Sequence, residues 1–411
     1  MTAMSQAGFG SLRGLRVVEI STSVAGPLVG EILGDLGAEV IKVEQVGKGD
    51  DTRGWAPPSM DGESITFMSL NRNKASLELD YKTPQGSEVL ARLLESADIL
   101  VQNLRPKALA KAGFGKERLE ELNPRLIYCE ITGFGRTGPK SSDAAYDPLL
   151  QAYSGIVSMV PTADGSPVRV PLSILDRGSA MWAVIGIFDA LRRRDQTGRG
   201  THVETSLLQT AMSWLSVQLL SAAAGHEKRK PLGSGHDGVV PYGAFPVSDG
   251  YIFLSAGNQA IWERFLGATD ELRLQDREGF RSNLERAANR ELVEATVSDV
   301  TRKYAMTDLI ALLEAARVPC SPVQHVEDMP GDPQVQALGI LEPMPHPIAT
   351  QHQIVNLPLT FNGDHARHQR CAPLLGEDTE SVLASLGYGA DRIAEFFSTG
   401  VVAHTQQRQD G

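Results

Sequence analysis

Cysteine is scarce in this chain: three residues in 411, namely Cys129, Cys320 and Cys371, lie far apart with no CxxC pair. That spacing argues against a disulfide framework or a thiolate zinc site and fits a reducing compartment. The nine histidines show no HExxH or comparable ligand spacing, so no metal centre is expected. No apolar run reaches membrane-spanning length, and the opening MTAMSQAGFGSLRG lacks an apolar signal core. A formal net charge of −11 speaks against bulk binding to nucleic acid or an anionic membrane. There is no internal repeat and no long low-complexity segment. What remains, with 42% hydrophobic and 22% charged residues, is ordinary for a globular chain. Its length suggests about two or three domains. The expectation is a cytoplasmic, enzyme-like protein.

Strand and helix patterns alternate from the start. A buried-strand pattern at 15–20 (LRVVEI) precedes a helix near 28–36, a stop at Gly37 and a second strand at 39–44 (EVIKVE). This βαβ unit favours a parallel sheet with a right-handed crossover. It imitates a dinucleotide-binding start, with Glu44 where a ribose-binding acid would fall. The intervening STSVAGP has no GxGxxG, however, so NAD is not expected. The long connection 45–74 is of the kind that usually carries function or a partner contact. Further strands at ASLELD, 98–102, 125–131 and THVETS, with helices between, extend the pattern to an open α/β sheet.

Composition then turns polar and turn-rich around 224–235, as in a linker. YGAFPVSDGYIFLSAG reads as two strands about a Ser-Asp-Gly turn, helices follow to about Arg317, and a proline-rich return begins at VPCSPVQ. The reading is a large α/β domain from 1–224 and 326–411 with a small α+β domain at 225–325.

Two stretches carry chemistry. In SPVRVPLSILDRGSAMWAVIGIFDALRRRDQTGRG, Asp176 stands at the start of a helix, and Met181, Trp182, Ile185, Phe188 and Leu191 recur at helical spacing, which predicts a buried face. Arg192, Arg193 and Arg194 suit the last turn, and Gly198 the stop. Asp176 is either an N-cap or a carboxylate nucleophile. The two are compatible, since a positive helix end favours the ionised carboxylate. The second stretch, 103–118, gathers Arg105, Lys107, Lys111, Lys116 and Arg118 against one acid, Glu117. After a strand end this suits a phosphate-bearing anion, or simply the solvated face of an amphipathic helix.

These pieces, in order, resemble the class III CoA-transferases, the family that includes formyl-CoA transferase and carnitine CoA-transferase. The resemblance runs through GLRVVEIS, LGDLGAEVIKVE, GKGDDTRGW, NRNKASLELD, ADILVQNLRP, LNPRLIYCEITGFGRTGP, AYD, LDRGSA, TGRGTHVETSLL, PYGAFPVSDGYI and PLLGEDT, from about residue 14 to 402. The GDDTRGWAPP and NRNK wording is most similar to succinyl-CoA:glutarate-type members, which move CoA between dicarboxylic acids. The resemblance implies an interlocked, ring-like homodimer. Each chain would have a large Rossmann-like open-sheet domain built from both termini and an inserted small domain.

It also implies a catalytic Asp176. That carboxylate would attack the acyl thioester to give a mixed anhydride, then an enzyme–CoA thioester that the acceptor acid resolves in reverse. Coenzyme A enters as acyl-CoA substrate, with no permanently bound cofactor. The positions matching CoA contacts are Ala25, Leu79, Lys82, Asn103, Leu104 and Lys111, with Arg105 next in line. Tyr146 and Asp147 match an aromatic–acid pair beside the nucleophile. Gly233, Ser234, Gly235 and His236 open the Gly233–Gly238 stretch that matches a glycine-rich loop over the site; the alternative is a plain interdomain linker.

Three departures narrow this reading. Lys111 and Gln45 stand where arginines are expected, so one phosphate contact loses its bidentate fork and the other its charge. Val24 replaces a glutamine that holds small acids, which argues against formate and oxalate. Two other functions compete: a 2-methylacyl-CoA racemase on the same fold, and a CoA-binding partner without catalysis. The racemases carry a His before the acid where this chain has Tyr146, so a base titrating near neutrality is missing. Retention of Asp176 weighs against the non-catalytic partner.

Overall fold

A computed structural model describes residues 10–159, 165–226, 232–366 and 368–404. The chain divides into two compact units, one of Met1–Val157, Arg169–His226 and Gln334–Gly411, the other of Ser158–Val168 and Glu227–Pro333.

The first unit is mixed α/β around a seven-stranded sheet. Its strands are β1 (Arg16–Ile20), β2 (Glu39–Glu44), β3 (Lys74–Leu79), β4 (Ile99–Gln102), β5 (Ile127–Thr132) and β6 (His202–Ser206). Val402–Ala403 adds a short edge strand antiparallel to β3, and every other pairing in the sheet is parallel. From that edge the order is β3-β2-β1-β4-β5-β6. The chain winds outward from β1 to β3, then returns to the other side of β1 at β4. The carboxyl ends of β1 and β4 therefore flank a topological switch point, where open α/β sheets bind ligands.

Period-two alternation sorts the strand residues onto two faces. Val18, Ile20, Ile41, Val43, Leu77, Leu79 and Leu100 pack into one core with the leucines of the helix Pro84–Glu95. Val17, Val40, Ile99, Val101, Ile127 and Ile131 pack into the other, against α1 (Ala25–Asp35) and the long helix Ile174–Thr197, α2.

Charges are sealed into this second layer. Glu19 and Lys42 are cross-strand partners on β1 and β2, both fully buried, with Lys42 Nζ 2.8 Å from Glu19 Oε1 and Lys74 Nζ 2.8 Å from Oε2. Gly30 of α1 makes room for them, because a Cβ there would lie 2.0 Å from Glu19 Oε2. Nearby, Arg72 pairs with Glu31 at 2.5 Å and Asp35 at 2.6 Å. Removing one partner of such a pair strands a buried charge and costs about 3–5 kcal/mol.

Helix α2 departs from the sequence reading in two ways. Its cap position is Ser173, and Asp176 is its third residue, so Asp176 is not the N-cap. Most of the predicted apolar face is also not buried: Leu191 packs partly against the core, but Met181, Trp182, Ile185 and Phe188 are exposed. The helix packs instead through Leu175, Gly178, Ser179, Ala180, Ala183, Ile187 and Ala190. These residues are mostly small, and they admit the neighbouring helix closely: a Cβ on Gly178 would lie 2.3 Å from the Trp214 ring. At the far end Gly198 takes φ +72° and closes the helix, while Arg194 turns inward to pair with Asp98 at 3.0 Å.

The second unit holds an antiparallel sheet of β7 (Tyr242–Val247), β8 (Gly250–Ser255) and β9 (Cys320–Pro322). Its first two strands form a hairpin about Ser248 and Asp249, as the alternation predicts. Trp262, Phe265 and Phe280 stack in its core with Val293, Val297 and Leu309.

Candidate functional site

Past the carboxyl ends of β1, β2 and β3 lies a cavity of about 400 Å³, its walls including Thr22, Gln45, Lys48, Leu79, Lys82 and Leu104. Asn103, just after β4, spans the switch point: its Oδ1 accepts from Thr22 N–H (2.9 Å) and its Nδ2 donates to Thr22 O (2.7 Å). A second hollow of about 180 Å³ lies past β4 and β5, lined by Arg105, Lys107, Lys116 and Arg136 among others.

The basic stretch therefore divides. Arg105, Lys107 and Lys116 face the second hollow, whereas Arg118 pairs with Glu121 at 3.3 Å, as on a solvated helix face. Lys111 is an exposed residue ending the short helix Ala108–Lys111 and lines neither hollow. Ala25 is buried at the head of α1.

Asp176 is half-buried in the first turn of α2, and Asp147 is buried against it. Asp147 Oδ2 accepts from the backbone N–H groups of Leu175 (2.6 Å) and Asp176 (3.1 Å), satisfying two of the helix's free donors. Its Oδ1 accepts from Gln151 Nε2 (2.5 Å). Gln151 in turn donates to Leu172 O (3.1 Å) and accepts from Val170 N–H (2.9 Å), fixing the approach to the helix. Burial, reinforced by the Asp147 charge, pushes the Asp176 carboxyl up to about 7, with Arg177 opposing. A carboxylate poised there is more basic, and so more nucleophilic, than a solvated one. Tyr146 precedes the pair and is 57% exposed.

The ribose-acid likeness of Glu44 has a structural answer. Its carboxylate takes two bonds from Arg53 (2.8 and 2.7 Å), with others from Asp50 N–H (2.9 Å) and Ser76 Oγ (2.7 Å). No capacity is left for a sugar. Gly233, Ser234, Gly235 and His236 belong to the second unit, in a pinned turn rather than a slack linker. Ser234 Oγ accepts from Ala244 N–H (2.8 Å), and Arg290 donates to His236 O (2.7 Å).

Sequence spacing could not reveal one cluster. Glu130, His202 and Glu204 converge from the adjacent strands β5 and β6, with ligand-type atoms within 4.8 Å of one another. Arg136 pairs with both carboxylates, Glu130 at 3.0 Å and Glu204 at 2.8 Å, so a cation already balances them.

The fold is thus a parallel-sheet α/β enzyme fold, with its cavity at the switch point and a carboxylate pair at a helix start. Comparison with known proteins gives the family: the model of CoA-transferase family III matches residues 12–379. The chain belongs to this family and is a class III CoA-transferase. It is 36% identical over 381 residues to the succinate–glutarate CoA-transferase of Agrobacterium fabrum, covering 91% of this chain and 95% of that one. It is 33% identical to the human succinyl-CoA:glutarate CoA-transferase, covering 95% and 90%. Among solved structures, a CAIB/BAIF family protein from Brucella suis superposes with a TM-score of 0.83 at 34% identity, covering 92% of this chain and all of that one. Among the described residues, no helix is long and apolar enough to cross a membrane.

Proposed function

We propose that this enzyme moves CoA from succinyl-CoA to a glutarate-like dicarboxylic acid, through a CoA thioester formed on Asp176. The observation that carries the reading is the carboxylate pair: a half-buried Asp176 with a raised pKa, its own N–H held by Asp147. The named activities of the relatives from Agrobacterium fabrum and Homo sapiens supply the substrate class.

In the first step Asp176 attacks the thioester carbonyl, forming a mixed anhydride and expelling CoA thiolate. The thiolate attacks the aspartyl carbonyl, releasing succinate and leaving CoA on Asp176. The acceptor carboxylate reverses the sequence, so one thioester replaces another of similar energy and no ATP is consumed. CoA lies in the switch-point cavity against Leu79, Lys82 and Leu104, beside Asn103; Arg105 would meet it from the neighbouring hollow, while Lys111, which lines neither hollow, and the buried Ala25 are contacts by family likeness alone. Lys48, three residues after Gln45 on the same wall, is paired with Asp51 at 2.6 Å and would exchange that partner for a phosphate to supply the charge that Gln45 lacks. Tyr146 and Asp147 shape the reacting end. The enzyme works as a cytoplasmic homodimer, whose partner subunit covers the exposed Met181, Trp182, Ile185 and Phe188 of α2.

Incubation with succinyl-CoA followed by peptide mass spectrometry should find CoA attached to the peptide containing Asp176. Asp176→Ala should lose both the label and glutarate-dependent succinate release while still binding CoA. A fully active Asp176→Ala enzyme would sink the mechanism. Deuterium uptake at the α-carbon of 2-methylacyl-CoA without acyl exchange would make the protein a racemase instead.

A further inference from the structure

Beneath the loop that leaves β1, fully sealed charges meet that take no part in transfer. Lys42 Nζ sits 2.8 Å from Asp50 Oδ2 as well as 2.8 Å from Glu19, and it donates to Ser21 O at 3.0 Å. Asp50 Oδ1 accepts from Ser23 N–H and from Thr22 Oγ1, each at 3.1 Å. It also ties its own loop through Thr52 N–H at 2.9 Å and Thr52 Oγ1 at 2.8 Å. With Asn103 gripping both backbone polar groups of Thr22, three consecutive residues are clamped from below.

The clamp holds a conformation the sequence does not favour. Ser23 takes φ +69°, a left-handed setting that a non-glycine residue adopts at a cost. Loops ordinarily leave their polar backbone to water. This one is bound by an ammonium and a carboxylate whose side chains are both fully buried, an arrangement expensive to assemble and intolerant of losing one partner. Ser21 and Thr22 line the switch-point cavity, and α1 begins at Ala25, two residues after the strained one.

We propose that Lys42 and Asp50 are positioning residues, which lock the Ser21–Val24 loop in the shape that receives CoA. This rests on the switch-point cavity being the CoA site. Lys42 does not line the cavity, and Asp50, which does, has its side chain fully buried in the clamp, so each acts through the backbone it holds. The locking also links two distant parts of the sequence. The loop after β2 reaches back through Asp50 to set the end of β1, so a long connection acts as part of the binding wall.

The test is Asp50→Asn, which keeps the shape but turns an amide toward the Lys42 ammonium. The acyl-CoA KM should rise at least tenfold while kcat at saturation stays within about threefold, because a misplaced wall weakens binding rather than the chemistry. Adding Ser23→Gly, which removes the left-handed penalty, should recover at least half of that loss on a logarithmic scale; general structural damage would not be rescued this way. Ligand-free amide exchange of Ser21–Val24 reads the clamp directly and should quicken at least tenfold in Asp50→Asn. Faster exchange with an unchanged KM would keep the clamp but overturn the cavity as the CoA site, and with it the positioning role. Unchanged exchange in folded protein, or a loss confined to kcat and unrescued by Ser23→Gly, would overturn the clamp itself. If Asp50→Asn does not fold, Thr22→Val removes the Thr22 hydroxyl's bonds to Asp50 and from Asp51 N–H, leaves the ions, and should give the same pattern at about threefold.

Discussion

Replacing Asp176 by Asn should stabilise the protein, and the pH dependence of the gain tests the environment assigned to it. In the folded chain the Asp176 carboxyl is raised from its ordinary 3.8 to about 7 by burial first and by Asp147 second. An acid that holds its proton more tightly folded than unfolded loses stability as pH rises between those two values. Below about pH 4 both states are protonated and no penalty exists; above about pH 7 the penalty is complete. At ~1.4 kcal/mol per pH unit, a shift of about three units sets a ceiling of roughly 4 kcal/mol at pH 8. At pH 5 only about one unit of the window has been crossed, so the ceiling there is roughly 1.5 kcal/mol.

Asp176 is only half-buried, so solvent screening cuts the pH 8 figure to about 2 kcal/mol. That corresponds to about 2–4 °C in Tm for a chain of this size. Screening scales both values together, leaving a ratio of about three between pH 8 and pH 5. Thermal unfolding of wild type and Asp176→Asn at the two pH values measures this ratio. An equal gain at both, or a loss at pH 8, would refute the claim that Asp176 is held against its charge.

Asp147→Asn removes the second cause of the raised Asp176 pKa. The acid limb of kcat/KM should then move down by about one pH unit, measured from pH 5 to 9, and an unmoved limb would deny the coupling. Ile185→Glu places a charge on the exposed apolar stripe of α2 and should convert the proposed dimer to monomers or aggregates in sedimentation at micromolar concentration. A wild-type protein sedimenting as an active monomer would remove the reason for that stripe.

The sheet was legible because its strands are short, apolar and evenly spaced. The 39–44 strand and the βαβ start are found where the pattern places them, and Glu44 is a buried acid held by Arg53 and Ser76, which the pattern did not show. Asp176 was legible as a residue to watch, but its capping was not. The group that satisfies the helix start is Asp147, 29 residues earlier, and no local rule looks that far. The apolar stripe of α2 was misassigned for a related reason. Periodicity detects a face that avoids water, not what covers it, and the face packed within the chain is mostly glycine, serine and alanine, which carry little hydrophobic signal. Lys42 is the sharpest case. In EVIKVE it reads as a polar residue in a buried strand, yet it is fully buried and opposite Glu19. A strand pattern records which residues alternate, whereas the reason a lysine can stand inside lies in acids on other strands and loops. Where several such acids converge beneath a single loop at the switch point, the cost of burying them is intelligible only if that loop's shape matters. Ser23, held left-handed directly above them, is the residue on which that argument turns.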